Sequence, residues 1–372
     1  MAPLPPAAGD ACIPEHMTPL LRRRRLLTAA AAGFFGQMLP APALAQIAVQ
    51  PPPKRAKTDE FSVTEPVSIQ VNARPINGFD TRDRSRMRFG ALEFRSGLVL
   101  TSGFRGFGGL SGLRLDAKGE RFIAISDKGG WFTGRIVYRG RVMTALEDVE
   151  ASPMLWSDGR PITARGWFDT EAIALDGSLV YVGLERVNRI LRYDFSKGFT
   201  RARGEEVALP PPARKLPYNK GLEALIAVPR GQPLAGTLIA ISERALDAQG
   251  NIVGFLVGGK TPGQFSVRRI EDFDVSDATL LPSGDMLLLE RKFSWIGGVG
   301  IRIRRIAQKS IAPGAIVDGP AIFSGDLGHE IDNMEGIDAH VGSGGETVVT
   351  MISDDNFSMI QRNLLLQFTL VE

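Results

Sequence analysis

The chain is short of the residues that most often carry hydrolytic or redox chemistry. Its 372 residues include one cysteine and three histidines. Cys12 lies near the N-terminus, upstream of anything that reads as folded. The body therefore has no intramolecular disulfide, no thiolate metal site and no cysteine nucleophile. His16 is also upstream, which leaves His329 and His340, and neither sits in an RHG or HxH setting. A histidine phosphatase and a multi-histidine zinc site are both disfavoured, and each histidine reads equally well as a loop or capping residue. Charge of one sign is lacking too. Lys and Arg number 44 against 41 Asp and Glu, for a net charge of +3, so no clustered basic field marks a nucleic-acid surface.

Long apolar runs are also scarce. The longest covers residues 26 to 39, about 14 residues, where a membrane-spanning helix needs roughly 20. It follows the basic run Arg22 to Arg25 and precedes Ala43-Leu44-Ala45, a small-residue cleavage signal. In Arg23-Arg24-Arg25-Leu26-Leu27 a basic pair is followed one residue later by two apolar residues, which fits a twin-arginine export signal. Residues 1–45 are expected to be that signal, with Met17 as an alternative start. Residues 46–87 are expected to be linker and lead-in, opening with Pro51-Pro52-Pro53. The mature protein is expected in the periplasm or secreted, with the twin-arginine machinery as its export partner and no stable membrane span after cleavage.

From about residue 89 onward no long segment has a helical apolar period. Short alternating or β-branched runs are instead punctuated by Gly, Pro and Asp-Gly, which predicts an all-β body over residues 88–372. Five stretches share one plan: a small or acidic residue opens an apolar strand, a turn follows, and a second strand ends in an acid. The leading residues are Ser111, Glu171, Glu223, Asp277 and Glu335, and the trailing acids are Asp127, Glu185, Glu243, Glu290 and Asp354. In a hairpin, residues equidistant from the turn face each other. The midpoints of the five pairs fall at Gly119, Ser178 beside Asp176-Gly177, Pro233, Ser283-Gly284 and Gly344-Gly345, and each is a turn. The leading residues recur about every 56 positions, a period of the kind propellers and solenoids show.

The expected fold is a β-propeller of five or six blades, closed by pairing residues 364–370 with residues 88–100. Equivalent strand ends meet at the central channel of a propeller, so the acids should gather at one rim.

The same residues resemble the bacterial phytase-like family, the "esterase-like activity of phytase" proteins. The resemblance rests on FGGLSGL (107–113), ISDKGGW (125–131), DTEAIAL (169–175), NKGLEAL (219–225), LLLERKF (287–293), DNMEGID (332–338) and SDDNFSMIQRNLLLQF (353–368). It implies an exported β-propeller with phosphatase or esterase activity, acting on a small-molecule phosphate or ester. It assigns no catalytic residue.

Several other routes to hydrolysis fail on context. Ser111 in GLSGL is not a nucleophile elbow, because Leu113 stands where glycine is needed and no helix follows. Residues 254–261, GFLVGGKT, match a phosphate-binding loop formally, but Pro262-Gly263 prevents the helix that would receive the phosphate. No nucleotide, haem or zinc is expected. Clustered carboxylates remain, and they suit Ca²⁺, which takes six to eight oxygen ligands. Asp127, Glu171, Glu223, Glu335 and Asp354 are the expected calcium ligands. Arg105, Lys128, Arg186, Arg244 and Arg291 are the expected contacts to an anionic substrate.

A second reading stands beside this one. Glu185-Arg186, Glu243-Arg244 and Glu290-Arg291 are acid–base doublets that could lock blade to blade, so Glu185, Glu243, Asp277 and Glu290 read as rim acids with a structural alternative. Trp131, Trp167 and Trp295 read as packing residues, with substrate stacking the alternative. Three functions remain open: a metal-assisted phosphate-ester hydrolase, a Ca²⁺-dependent lactonase or carboxyl esterase, and a non-catalytic propeller that binds a ligand or envelope partner.

Overall fold

The computed structural model describes residues 64–294 and 298–371. The expected export signal and Trp295 lie outside the described residues. The chain is all-β, interrupted among the described residues only by 3-10 turns of three or four residues, and it forms a five-bladed propeller. Among the described residues no helix is long and apolar enough to cross a membrane.

Each blade is a twisted antiparallel sheet whose first strand lines the channel. Blade one runs Leu110–Leu115, Arg121–Ser126, Gly130–Arg139 and Val142–Pro153. Blade two runs Thr170–Asp176, Leu179–Leu184, Arg189–Asp194 and Glu205–Glu206. Blade three runs Leu222–Ala227, Thr237–Leu246, Ile252–Gly258 and Gly263–Val267, and blade four runs Asp274–Leu280, Met286–Ser294, Gly298–Ile306 and Ala321–Gly325. Blade five takes Asn333–Val341, Thr347–Asp354 and Asn363–Leu370 from the C-terminal end of the chain and Leu92–Ser102 from nearer its start. Asn363 pairs with Leu100 and Leu370 with Leu92, so the ring closes as its sequence predicts. Val71–Ile76, inside the expected lead-in, adds a further strand to this blade.

The alternating apolar residues of these strands fill the spaces between blades. Between blades four and five, for example, Leu287, Leu289, Ile303, Ile337, Met351 and Phe368 are buried together. Such inter-blade cores remove both faces of each sheet from water and leave the loops and strand ends to carry function.

One irregularity recurs in all five blades. The register between first and second strands slips by one residue at Ser111, Glu171, Glu223, Ser276 and Glu335. Each slip is a β-bulge, which leaves one residue unpaired and re-aims its side chain. The strands crowd together just below. A Cβ on Gly336 would lie 2.9 Å from the backbone N of Leu113, in the neighbouring first strand.

The bulges also correct the expected frame of blade four. Its equivalent of Ser111, Glu171, Glu223 and Glu335 is Ser276, not Asp277. The next position on the second strand, occupied by Asp127, Glu185, Glu243 and Asp354 elsewhere, is Arg291, not Glu290: Val275 pairs with Glu290 as Leu222 pairs with Ser242. The slip is symmetric about the turn, so the midpoint stays at Ser283-Gly284 and gives no warning. A one-residue shift in a strand moves every side chain to the opposite face. Asp277 and Glu290 therefore leave the rim.

Candidate functional site

Three tiers of residues converge where the first strands begin. The bulges supply Glu171, Glu223 and Glu335 with Ser111 and Ser276. The second strands end in Asp127, Glu185, Glu243 and Asp354 with Arg291. The entry loops add Asp169, which precedes Glu171 by two residues and stands in the left-handed region at φ 64°. Its carbonyl accepts from the Glu185 N–H at 2.9 Å and its own N–H donates to the Asp127 carbonyl at 2.7 Å, which stitches blades one and two together at the rim. Gly109 has φ 60°, and a Cβ there would strike the Asp127 carboxylate, so only glycine lets this loop reach the acid.

Within this cluster, carboxylate oxygens of Glu185, Glu223 and Glu243 lie within 4.8 Å of one another, a buried triad able to hold a metal ion. Glu223 is 4% exposed. It has no hydrogen-bond or ion-pair partner among the described residues. Glu185 accepts from the Gly221 N–H at 2.9 Å. Glu243 pairs with Arg244 at 3.1 Å and with Arg291 of the next blade at 3.3 Å. Arg291 also pairs with Glu335, which accepts from Asn333 Nδ2 at 2.7 Å. On the other side of the mouth Asp127 has Lys128 Nζ at 3.9 Å, and Asp354 accepts from the Asn356 N–H at 2.7 Å.

The electrostatics record an excess of negative charge. Burial, then the charges of Asp127, Asp169, Glu185 and Asp354, pushes Glu171 well above the usual carboxylate range. Burial and the neighbouring Glu171 do the same to Glu223, against the pull of Arg291. Burial raises Asp127 to about 6 and Asp354 to about 7. Asp169, Glu185 and Glu243 are raised as well, again chiefly by burial. Carboxylates held this close without enough cations relax either by taking up protons or by binding a cation.

The site regroups the residues expected from sequence. The triad unites one expected ligand, Glu223, with Glu185 and Glu243, for which a structural pairing was the alternative. Asp127, Glu171 and Asp354 face one another beside it, and Glu335 lies against Arg291. Among the expected substrate contacts, Arg291 is built into the acid cluster itself. Arg186 turns away from Glu185, stacks over Phe168 at 4.4 Å and donates to the Tyr218 hydroxyl at 3.2 Å. Arg244 bridges Glu243 and Asp274. Arg105 is exposed in its loop.

Asp277 and Glu290 are structural. Glu290 is fully buried between Arg302 and Arg304, at 2.8 and 2.6 Å within its own blade. Asp277 forms a two-pronged pair with Arg114, at 2.7 and 2.9 Å, in the middle of the channel. Arg114 also donates to the carbonyls of Leu225, Ala278 and Ile337 from three other blades, which plugs the channel below the acids. Asp338 beside it accepts from the Leu115 N–H and the Thr279 hydroxyl.

Sequence reading missed Arg114, Asp169 and Ser276. Asp169 lies inside DTEAIAL, and setting VSDA beside LSGL and LEAL would have placed Ser276. No local signal marks Arg114, whose partners other than the adjacent Leu113 carbonyl lie more than a hundred residues away. The histidines stay out of the site: His329 stacks on Phe79, and His340 is buried against Gly119. Trp131 is fully buried against Tyr193, and Trp167 packs edge-on to Trp156.

The family model described as phytase-like, esterase-like activity of phytase, matches residues 105–357. The chain belongs to this family. The match starts in the Gly-rich loop before blade one and ends just past Asp354, so this phytase-like domain contains every acid of the mouth. No curated protein matches the chain. Its fold resembles an endo-arabinase from Bacteroides thetaiotaomicron at 10% identity, over 71% of this chain and 94% of that one, with a TM-score of 0.42. It also resembles a glutaminyl cyclase from Myxococcus xanthus at 11% identity, over 83% of this chain and 100% of that one, with a TM-score of 0.36. A third similar structure is the Swd1 β-propeller domain of Myceliophteria thermophila, at 10% identity over 68% and 67% of the two chains, with a TM-score of 0.33.

Proposed function

We propose that this phytase-like domain is an exported hydrolase of phosphate monoesters or related esters, working with a calcium ion at the acidic mouth. The observation that carries the proposal is the triad of Glu185, Glu223 and Glu243, with oxygens inside 4.8 Å and the Glu223 carboxylate unpartnered among the described residues. The donors are all oxygen, with no histidine or thiolate among them, which suits a hard cation and not zinc. A calcium ion bound there supplies positive charge to a phosphoryl oxygen and lowers the pKa of a water molecule.

The chain's own residues do the rest. Lys128 and Arg244 at the edge of the acids, with Arg186 beyond them, offer charge-assisted hydrogen bonds to the remaining phosphoryl oxygens. Asp127 and Asp354 change protonation near 6 and 7, so one can hold a proton while the other lacks it. In the net reaction a water oxygen bonds to phosphorus and the ester P–O bond breaks; one water proton is taken by a carboxylate and passed on to the leaving alcohol, and the other stays on the phosphate, so the carboxylates end as they began. Arg114 closes the channel below and keeps the site open on one side only.

The test is phosphate release from a phosphomonoester by purified protein, with Ca²⁺ and with a chelator, for the natural chain and Glu223→Gln. Calcium-dependent turnover lost in the variant is expected; turnover indifferent to chelation removes the metal role. Faster cleavage of an aryl acetate than of an aryl phosphate would make the protein a carboxyl esterase at the same site. Export is proposed from Arg23-Arg24-Arg25-Leu26-Leu27 and is tested by fractionating cells that carry Arg23→Lys/Arg24→Lys, which should retain the protein in the cytoplasm.

A further inference from the structure

The exposed large hydrophobic side chains are unevenly distributed among the described residues. Tyr218, Phe293, Leu327, Met359 and Ile360 are 65–98% exposed, while every other exposed large hydrophobic among the described residues is at 47% or below. All five stand at the acidic end of the propeller. Second strands run toward that end and fourth strands return to it, and these residues occupy the strand tips and loops there. Phe293 follows Arg291 by two residues on the same strand. Leu327 lies against Gly298, the next hairpin arm of that blade. Tyr218 accepts the hydrogen bond from Arg186. Met359 and Ile360 cap the loop that leaves Asp354.

A sixth residue joins this collar to the acids. The Phe357 ring lies beneath Lys128 Nζ at 5.3 Å and against the backbone of Gly108 and Gly109, the loop that presses on Asp127 and Asp355. Phe357 holds φ 50° and Asn356 φ 47°. Two successive non-glycine residues in the left-handed region cost conformational energy, and a bulky phenylalanine there is unusual. The strain puts an apolar ring beside Lys128 and across Gly108 and Gly109 from the carboxylates of Asp127 and Asp355.

An exposed apolar loop, residues 357 to 360, that starts beside Lys128 and the carboxylates of Asp127 and Asp355 fits a ligand that has both characters. We infer that the substrate is an amphiphile: a phosphate monoester whose charged head enters the acidic mouth while a hydrocarbon chain lies across Phe357, Met359 and Ile360. The inference rests on the hydrolase reading for the fate of the head group, but the chain-binding surface can be measured without turnover. A preference for amphiphiles follows because each methylene laid on the collar leaves water.

The experiment is titration calorimetry of the full chain with Ca²⁺ present, using methylphosphonate and decylphosphonate, the latter below its aggregation threshold. Decylphosphonate is expected to bind at least tenfold more tightly than methylphosphonate. Met359→Ser/Ile360→Ser should bring that ratio below threefold, with circular dichroism confirming that the fold is intact. Equal binding of the two ligands, no binding of either, or an unchanged ratio in the variant overturns the inference. Phosphate release from glycerol 3-phosphate and from dihexanoyl phosphatidic acid is then measured in parallel. Chain-dependent binding without release from either leaves the amphiphile site standing and removes the hydrolase reading. Release at equal kcat/KM from both removes the amphiphile preference and keeps the hydrolase.

Discussion

The mouth of the channel and its middle, one strand-turn apart, treat carboxylates in opposite ways. In the middle, Asp277 meets a two-pronged guanidinium and the N–H groups of Ile337 and Ala278, so both oxygens of the buried carboxylate are paired, although burial still pushes its pKa above the usual Asp range. At the mouth, Glu171 and Glu223 have no hydrogen-bond or ion-pair partner among the described residues, and six neighbouring acids share Arg291 and a few peripheral cations. The first arrangement holds blades together. The second is strained as it stands and becomes favourable when a cation or a proton arrives. A buried ion pair contributes little net stability, yet breaking one is costly because the survivor is left charged and dry. A cluster of unanswered carboxylates behaves in the reverse way, since removing one charge relieves the rest.

That contrast can be broken most visibly at Arg114. Arg114→Ala strands Asp277 and the carbonyls of Leu225, Ala278 and Ile337, and should cost about 3–5 kcal/mol in urea unfolding. A loss under about 1 kcal/mol would mean the plug is dispensable. The opposite sign is expected at the mouth. Glu223→Gln should weaken Ca²⁺ binding at least about tenfold by calorimetry, since even outer-shell changes cost that much. It should also leave the melting temperature of the chelated protein equal or raised. A lower melting temperature without metal would show that Glu223 is a structural acid after all.

Titration sharpens the same comparison with a smaller effect. Folded-state pKa values of about 6 for Asp127 and about 7 for Asp354 lie above the ordinary Asp value, so the fold binds these protons more tightly than the unfolded chain. Their contribution is fully present below about pH 4 and is lost as pH rises through about 7. With a chelator, the melting temperature should fall across that window. Saturating Ca²⁺ should reverse the fall above about pH 6, because the ion binds the deprotonated form. A chelated protein whose stability rises across the window would contradict the raised values.

The smallest effect is expected where blade four departs from its neighbours. Ser276 is fully buried and its hydroxyl has no hydrogen-bond partner among the described residues. Ser276→Ala should be neutral or stabilising by about 1 kcal/mol in the same urea assay.

How much of this was legible depends on the range of the interaction. Turns such as Asp176-Gly177 and Ser283-Gly284 are local, so five hairpins and their period could be read directly, and with them the closed ring. The gathering of Glu171, Glu223 and Asp354 at one end also follows, because equivalent strand ends must meet at the axis. Blade four failed by one residue. The turn arithmetic that placed Asp277 and Glu290 has the same midpoint as Ser276 and Arg291. Only the bulge decides between them, and it forms when two strands pair.

Composition and strand period by themselves determined an acid-rich propeller without thiol or multi-histidine chemistry, since chain-local signals are enough for both. Which acids are neutralised was decided only by folding. The partner of Asp277 comes from another blade, the arginines of Glu290 face it from the adjacent strand only once that hairpin pairs in register, and the triad of Glu185, Glu223 and Glu243 comes from two blades. A side chain's charge is written in the sequence, but the presence of a counter-charge within about 4 Å is a property of packing.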